Sequence, residues 1–319
     1  SGRSGFVRTR VVVVGGGVGG LSAALALAAK GLDVLVLERA AAIGGKMRRV
    51  MAGGVGVDGG PTVFTMRWVF EELFAEAGLD FAACVPHRPA ALLARHGWTD
   101  RARLDLHVDP DRSRAAIAAF AGEAEAARWI DFMAHARRVY RTLEGPFLRA
   151  DKPNPLSLTA RVGFTKVPEL LDLKPFSTLW QALGEHLRDP RLRQLYGRYA
   201  TYCGSSPFAA TATLMLVAHV EQEGVWYVEG GMHELARALA REAGAAGAEI
   251  RTGVAVEEIV AGPSGVIGVR LAGGGFEPAS HVVFNGDANA LASGLLGEAV
   301  SGAVAPTPPR ERSLSALVW

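Results

Sequence analysis

Apolar residues run unbroken from Val11 to Val14, a stretch too short and too rich in β-branched side chains for a helix. Gly15-Gly16-Gly17-Val18-Gly19-Gly20 follows at once, and alanine and leucine then recur to about Lys30, where Gly31 stops a helix. Asp33 to Leu37 reads as a second strand, parallel to the first and so buried on both faces, closed by Glu38. The order is strand, tight turn, helix, strand, acid.

Farther along, Val50 to Asp58 alternates loosely as a short strand or hairpin and leads into Asp58-Gly59-Gly60-Pro61-Thr62, which implies a tight backbone path, against a ligand if one binds there. Met66, Phe70, Leu73, Phe74 and Ala77 recur at helical spacing up to Gly78. Residues 85 to 108 suit a hairpin or small sheet. Ala115–Ala121 and Glu123–Leu143 follow as two helices parted by Gly122, the second with Ala127, Ile130, Met133 or Ala134, and Tyr140 on one side. Prolines break every pattern from Gly145 to Pro175, where apolar pieces alternate with bases; that makeup fits a lid, a membrane or partner contact, or internal packing. Helical spacing returns at Ser177–Leu187, Pro190–Tyr202 and Phe208–Glu221, with Tyr196, Tyr199, Tyr202, Phe208 and Met215 available to line an apolar cavity or to fill a core. After Gly224 the α/β pattern resumes: Trp226–Val228, a helix Glu234–Glu242, strand pieces within Glu249–Val260, and paired strands Val266–Leu271 and Phe276–Phe284 that end in Asn285-Gly286-Asp287. The chain divides accordingly into a nucleotide domain in two parts, 6–84 and 225–299, split by a mostly helical domain, 85–224, with 300–319 starting a return to the latter.

The glycine spacing has a mechanism in this context. Gly15 allows the tight turn, Gly17 the approach of a pyrophosphate, and Gly20 the packing of helix on sheet. Unpaired amides at the helix start face phosphate, and Glu38 is placed to accept from ribose hydroxyls. Gly44-Gly45 can wrap the pyrophosphate, with Arg39 or Lys46 supplying charge.

Composition mostly excludes. With 319 residues and a 49% apolar fraction the chain folds into one large or two ordinary domains, and 34 bases against 32 acids imply no nucleic-acid partner. Cys84 and Cys203 suggest neither a disulfide scaffold nor a thiolate metal site, so a reducing compartment is the default. Apolar runs are too short for a bilayer span, and Ser1 to Gly5 looks like a tag or frayed leader without a signal segment. His233-Glu234 opens like a zinc-protease motif but Arg237 stands where the second histidine belongs, and no metal site is expected. These features reach a dinucleotide-dependent redox protein and leave nicotinamide and flavin both open.

Val11–Glu38, Gly44-Gly45-Lys46-Met47, Asp58–Thr62, Tyr227-Val228-Glu229-Gly230-Gly231-Met232 and Asn285-Gly286-Asp287 together resemble the bacterial phytoene desaturase family of carotenoid flavoenzymes. Leu195–Glu234 is especially similar, and the resemblance leans to the hydroxycarotenoid 3,4-desaturase branch. It implies an α/β fold, a Rossmann-type FAD-binding domain of the glutathione-reductase-like kind split by a mostly helical domain that touches the membrane and takes a hydrophobic polyene. Carried residue by residue, Gly15, Gly17 and Gly20 bind the pyrophosphate, Glu38 the ribose, and Gly44-Gly45 continue the flavin loop, beside Arg39. Lys46 stands where many relatives have arginine, and Val256 presents its backbone to the adenine. The implied reaction is desaturation of an acyclic carotenoid such as 1-hydroxyneurosporene at its 3,4 bond, with hydride passing to flavin and quinone or oxygen as final acceptor. Phytoene desaturation, carotenoid isomerisation and amine oxidation are the other enzymatic readings, and a lipid-binding scaffold on a relic nucleotide fold is the non-enzymatic one. No base is assigned; Tyr202 and His219 are the candidates, beside water. The implied location is cytoplasmic, at the inner membrane surface. Family members continue to a C-terminal segment that closes over the flavin, so the C-terminal part is expected to be missing and these 319 residues to lack bound FAD, which the full-length protein would hold.

Overall fold

Strands shielded on both faces must find apolar neighbours above and below, and the valine runs do so. In the computed structural model, which describes residues 10–149, 173–174 and 176–313, Val12, Val13, Val34, Leu35 and Val36 are fully buried. β1 (Arg10–Val14) and β2 (Asp33–Glu38) pair in parallel, and β1 pairs in parallel with His281–Phe284 on its other side. Glu249–Thr252 extends the sheet beside β2. Helix α1 (Val18–Ala29) buries Leu21, Ala24 and Leu25 against one face of this sheet and packs on helix His233–Ala245. On the other face Val12, Leu35 and Leu37 join Ile259 and Val269 of an antiparallel three-stranded sheet, Val256–Gly262, Gly265–Leu271 and Phe276–Pro278. At the N-terminal ends of the parallel strands Arg10 meets Asp33, Glu249 and Glu277, leaving the opposite end clear of this charge network.

This α/β unit comprises the residues up to Arg88 and Tyr227–Glu311; a second unit holds Pro89–Trp226. Within the segment from residue 300, Val300 and Val304 pack on the α/β core. The strand expected over Phe276–Phe284 is two. Phe276–Pro278 pairs with Gly265–Leu271, Pro278 has no amide to continue a ladder, and after buried Ala279 the chain enters the parallel sheet as His281–Phe284. Val50–Asp58 forms the expected hairpin, Arg49–Ala52 with Val55–Asp58.

The described residues of the second unit are largely helical, with a hairpin, Leu92–Gly97 with Arg103–His107. Asp109 caps Pro110–Ala121 by accepting from the Asp111 amide, and Asp189 caps Pro190–Gly197 from the Arg191 amide. Gly122 separates Pro110–Ala121 from the 21-residue helix Glu123–Leu143. That helix buries Ala126, Trp129, Phe132, Ala136, Val139 and Leu143; of the expected face Tyr140 is buried and Met133 half-buried, whereas Ala127, Ile130 and Ala134 are exposed. The larger area of Trp129 and Phe132 decides the rotation. The helix expected from Phe208 begins only at Leu216, after a tight turn Ala212–Met215. Before it the chain turns at Pro207–Ala209, the Ala210 amide donating to Ser206, and Thr211 is extended beside Thr178, with the Leu179 amide donating to Ala210 and the Ala212 amide to Ser177. Tyr196, Tyr199 and Met215 fill the core, as the packing alternative has it, while Tyr202 and Phe208 are more than half exposed. The proline-broken stretch read over Gly145–Pro175 lies largely outside the described residues. Among the described residues no helix is long and apolar enough to cross a membrane.

Burial, with the Arg198 charge second, pushes the His96 imidazole down to about 4. An unfolded chain would bind that proton near pH 6.5, so stability is full above about pH 6.5 and falls as pH drops toward about 4. Half-buried His186 and buried His219 are shifted the same way, burial being the largest cause in each. Urea midpoints at about pH 7.5 and about pH 5 should therefore differ, and differ less in His96→Gln. Equal acid losses in both proteins would remove His96 from this effect.

Candidate dinucleotide-binding site

The parallel strands deliver their C-terminal ends to one edge, where β1 leads into α1 on one face and His281–Phe284 leads into Ala288–Ala292, whose Leu291 joins the core on the other. Open parallel sheets bind ligands where neighbouring strands lead to opposite faces. The Gly15 amide donates to Leu37 at 2.8 Å, and the turn runs directly into α1. A Cβ on Gly20 would lie 2.1 Å from the Gly15 carbonyl oxygen, so helix and turn close on each other only because that position has no side chain. No side chain caps α1, and no acid occupies its first turn. Its free amides, at the positive end of the helix, face outward for an anion.

Glu38 is 7% exposed at the end of β2. Its carboxylate accepts from the Gly16 amide at 2.7 Å and from the Ala40 amide at 2.8 Å. The acid thus holds the glycine turn as well as standing at its rim, and each oxygen keeps a lone pair for a further donor. The Gly253 and Val254 amides donate to the Ala40 and Glu38 carbonyls, which brings Val256, two residues on, to the same rim.

The second glycine pair lies on the first turn. Gly44 bridges to Gly17, and its amide donates to Gly16 at 2.8 Å. Gly44 and Gly45 take φ of +108° and +58°, a consecutive left-handed pair that side-chain-bearing residues resist. Arg39 and Lys46 are exposed and form no ion pair among the described residues, so both charges are available to a bound anion.

Sequence reading assigned no role to three neighbours. Asn285, at the end of His281–Phe284, donates its backbone amide to Val14 at 2.8 Å and its side-chain amide to the Gly15 carbonyl at 3.3 Å. Asp58 accepts from the Met232 amide at 2.9 Å, and His233 reaches the Met47 carbonyl at 2.9 Å. The Asn-Gly-Asp motif at a strand end was the available signal for the first. The other two required knowledge of which distant loops meet.

The catalytic candidates lie in the helical unit. Tyr202 donates to Glu221 at 3.3 Å. His219 is buried edge-on against Tyr140, 3.5 Å from Glu223, and burial lowers its pKa. Among the described residues no cluster of three or more metal-ligating side chains occurs.

A profile of the family described as flavin containing amine oxidoreductase matches residues 18–315. The chain belongs to the flavin-containing amine oxidoreductase family. Hydroxyneurosporene desaturases of Rubrivivax gelatinosus and Rhodobacter capsulatus are 51% and 41% identical to it over 311 residues, covering 97% and 98% of this chain and 59% and 63% of theirs. A 4,4'-diaponeurosporene oxygenase of Staphylococcus haemolyticus is 31% identical, covering 86% of this chain and 55% of its own. The chain thus spans about three fifths of the length of the curated relatives it matches. Two solved structures share the fold: an oxidoreductase from Methanosarcina mazei (TM-score 0.61, 16% identity, 91% of this chain and 61% of that one) and wild-type putrescine oxidase bound to putrescine (0.59, 18%, 95% and 62%). Family membership carries flavin use, and the residues fit it. An uncapped helix start, a turn whose close approaches leave no room for a Cβ, an acid at the rim and two free bases are what a dinucleotide requires.

Proposed function

We propose that the α/β unit binds FAD through its ADP half, and that the polypeptide carrying it desaturates an acyclic hydroxycarotenoid such as 1-hydroxyneurosporene at the 3,4 bond. The observation that carries this reading is 51% identity, across nearly the whole chain, to a hydroxyneurosporene desaturase. The turn geometry supports the cofactor half of it.

Gly15, Gly17 and Gly20 with the amides of α1 hold the pyrophosphate, Gly44 and Gly45 close over it, and Arg39 and Lys46 offset its charge. Lysine does this as a point charge, where arginine would grip two oxygens. Glu38 accepts from the ribose while its other lone pairs keep the turn, and the backbone at Val256 meets the adenine. Bound flavin would supply an acceptor for one hydride, which carries both electrons, so that two adjacent allylic carbons lose a hydride and a proton and gain a double bond. The companion proton leaves to a side chain, with Tyr202 and His219 as candidates, or to water, and quinone or oxygen takes the electrons onward. A polyene substrate partitions into lipid, and the reading accordingly has the working enzyme meet it from the cytoplasm at the surface of the inner membrane.

The test is anaerobic incubation of the whole polypeptide carrying these residues, with FAD in liposomes, against 1-hydroxyneurosporene and separately phytoene. Flavin bleaching and a red-shifted polyene from the hydroxylated substrate alone are expected. Turnover of phytoene would move the substrate assignment, an isomer without bleaching would replace desaturation by isomerisation, and an oxygenated product in air would favour the oxygenase activity that the staphylococcal relative is named for.

A further inference from the structure

The histidine that fails as a zinc ligand has a different place in this fold. His233 is the first residue of helix His233–Ala245, and its Nδ1 lies 2.9 Å from the Met47 carbonyl oxygen. A carbonyl only accepts, so Nδ1 carries the proton and donates. Met47 closes the turn that begins at Gly44, its amide donating to the Gly44 carbonyl at 2.9 Å. The imidazole also covers the bare face of Gly44: a Cβ there would sit 3.0 Å from Nδ1 and 2.5 Å from the Met47 oxygen. From Gly44 the contact continues to the first turn, through the amide bond to Gly16 and the bridge to Gly17.

The helix start that carries His233 is itself fixed from outside. The Asp58 carboxylate accepts from the Met232 amide at 2.9 Å, putting an acid at the positive end of that helix. Asp58, Met232, His233, Met47, Gly44 and Gly16 therefore form one continuous chain of hydrogen bonds and packing within the α/β unit. It joins four glycine motifs distant in sequence, Gly15–Gly20, Gly44-Gly45, Asp58-Gly59-Gly60 and Gly230-Gly231-Met232.

We propose that His233 is a positioning residue for the cofactor: its Nδ1–H fixes the Gly44–Met47 turn against the Gly15–Gly20 turn, so that the amides of both meet the pyrophosphate already in place. The proposal rests on the reading that the unit binds FAD. A loop held in its bound geometry spares the ordering cost at association, and that saving is what His233 contributes to affinity.

The variants are His233→Phe, which keeps a ring over Gly44 and removes the donor, and His233→Asn, whose side-chain amide can stand in for Nδ1. FAD affinity is measured by fluorescence titration of the whole polypeptide carrying these residues, and exchange of the Gly44 amide is measured in its cofactor-free form. His233→Phe should weaken FAD roughly tenfold, the scale of one lost hydrogen bond, and speed Gly44 exchange, with the melting temperature of the unit little changed. His233→Asn should restore both. Should phenylalanine not fit, His233→Ala removes the same donor. Wild-type affinity in the folded Phe or Ala variant overturns the proposal while leaving the cofactor reading intact, as does an Asn variant that folds and fails to rescue. A wild-type whole polypeptide with no affinity for FAD overturns the cofactor reading and this proposal together.

Discussion

Gly20→Ala should destabilise the α/β unit by about 2 to 3 kcal/mol and abolish saturable FAD binding. Helix propensity alone argues the opposite sign, since alanine inside a helix is worth up to about 1 kcal/mol over glycine. Position 20 lies within α1, yet a Cβ there would be 2.1 Å from the Gly15 carbonyl oxygen and within 3.2 Å of the Asn285 side chain. The nearest obstacle is backbone, so the turn must move away from the helix start. That movement breaks the arrangement of amides on which a pyrophosphate depends. Denaturant unfolding and a flavin titration read the two effects. A variant as stable as the parent, with FAD affinity kept, would show that the close approach is not a constraint.

The second large effect is expected in the helical unit, where Glu221→Ala should lose about 3 kcal/mol. Glu221 is 6% exposed and accepts from Arg198 at 2.9 and 3.1 Å, from Tyr199 at 2.8 Å and from Tyr202 at 3.3 Å. Burial first, and the Glu221 charge second, hold the Tyr199 phenol well above its ordinary pKa, so it stays protonated and donates. Alanine would leave that phenol, 1% exposed, without an acceptor, and would leave Arg198 without its counter-charge. The Arg198 side chain is 37% exposed and can turn to water, which keeps the loss toward the lower end for a broken buried pair. Glu221→Gln, retaining one acceptor oxygen, should lose less. A thermal midpoint unchanged in Glu221→Ala would mean that the pair is neutral in the fold.

Short-range chemistry was legible in the sequence. The valine runs, the glycine spacing and Glu38 specify strand, turn, helix and strand because each rule acts within a few residues, and the parallel pairing follows from burial on both faces. The helix Glu123–Leu143 was legible as a helix but not in its rotation, since alanines fit either side and only contact with the rest of the core shows that Trp129 and Phe132 face inward. Phe276–Phe284 reads as one alternating strand although its halves serve different sheets; alternation carries no information about which partner is met. The site divides in the same way. Gly15, Gly17, Gly20, Glu38 and Gly44 announce themselves by spacing, whereas Asp58, His233 and Asn285 matter through contacts that span 174, 186 and 270 positions. Glu38 also does more than its motif suggests, because the bond from the Gly16 amide depends on how β1 and β2 are registered.

Amide hydrogen exchange of the whole polypeptide carrying these residues, with and without FAD, tests the central claim most directly, since it locates the cofactor on the backbone and does not depend on turnover. The account predicts that FAD slows exchange at Gly16 to Gly20 and at Gly44 to Met47, and that ADP alone reproduces most of this pattern. Protection confined to other segments, or no protection at saturating FAD, would contradict it.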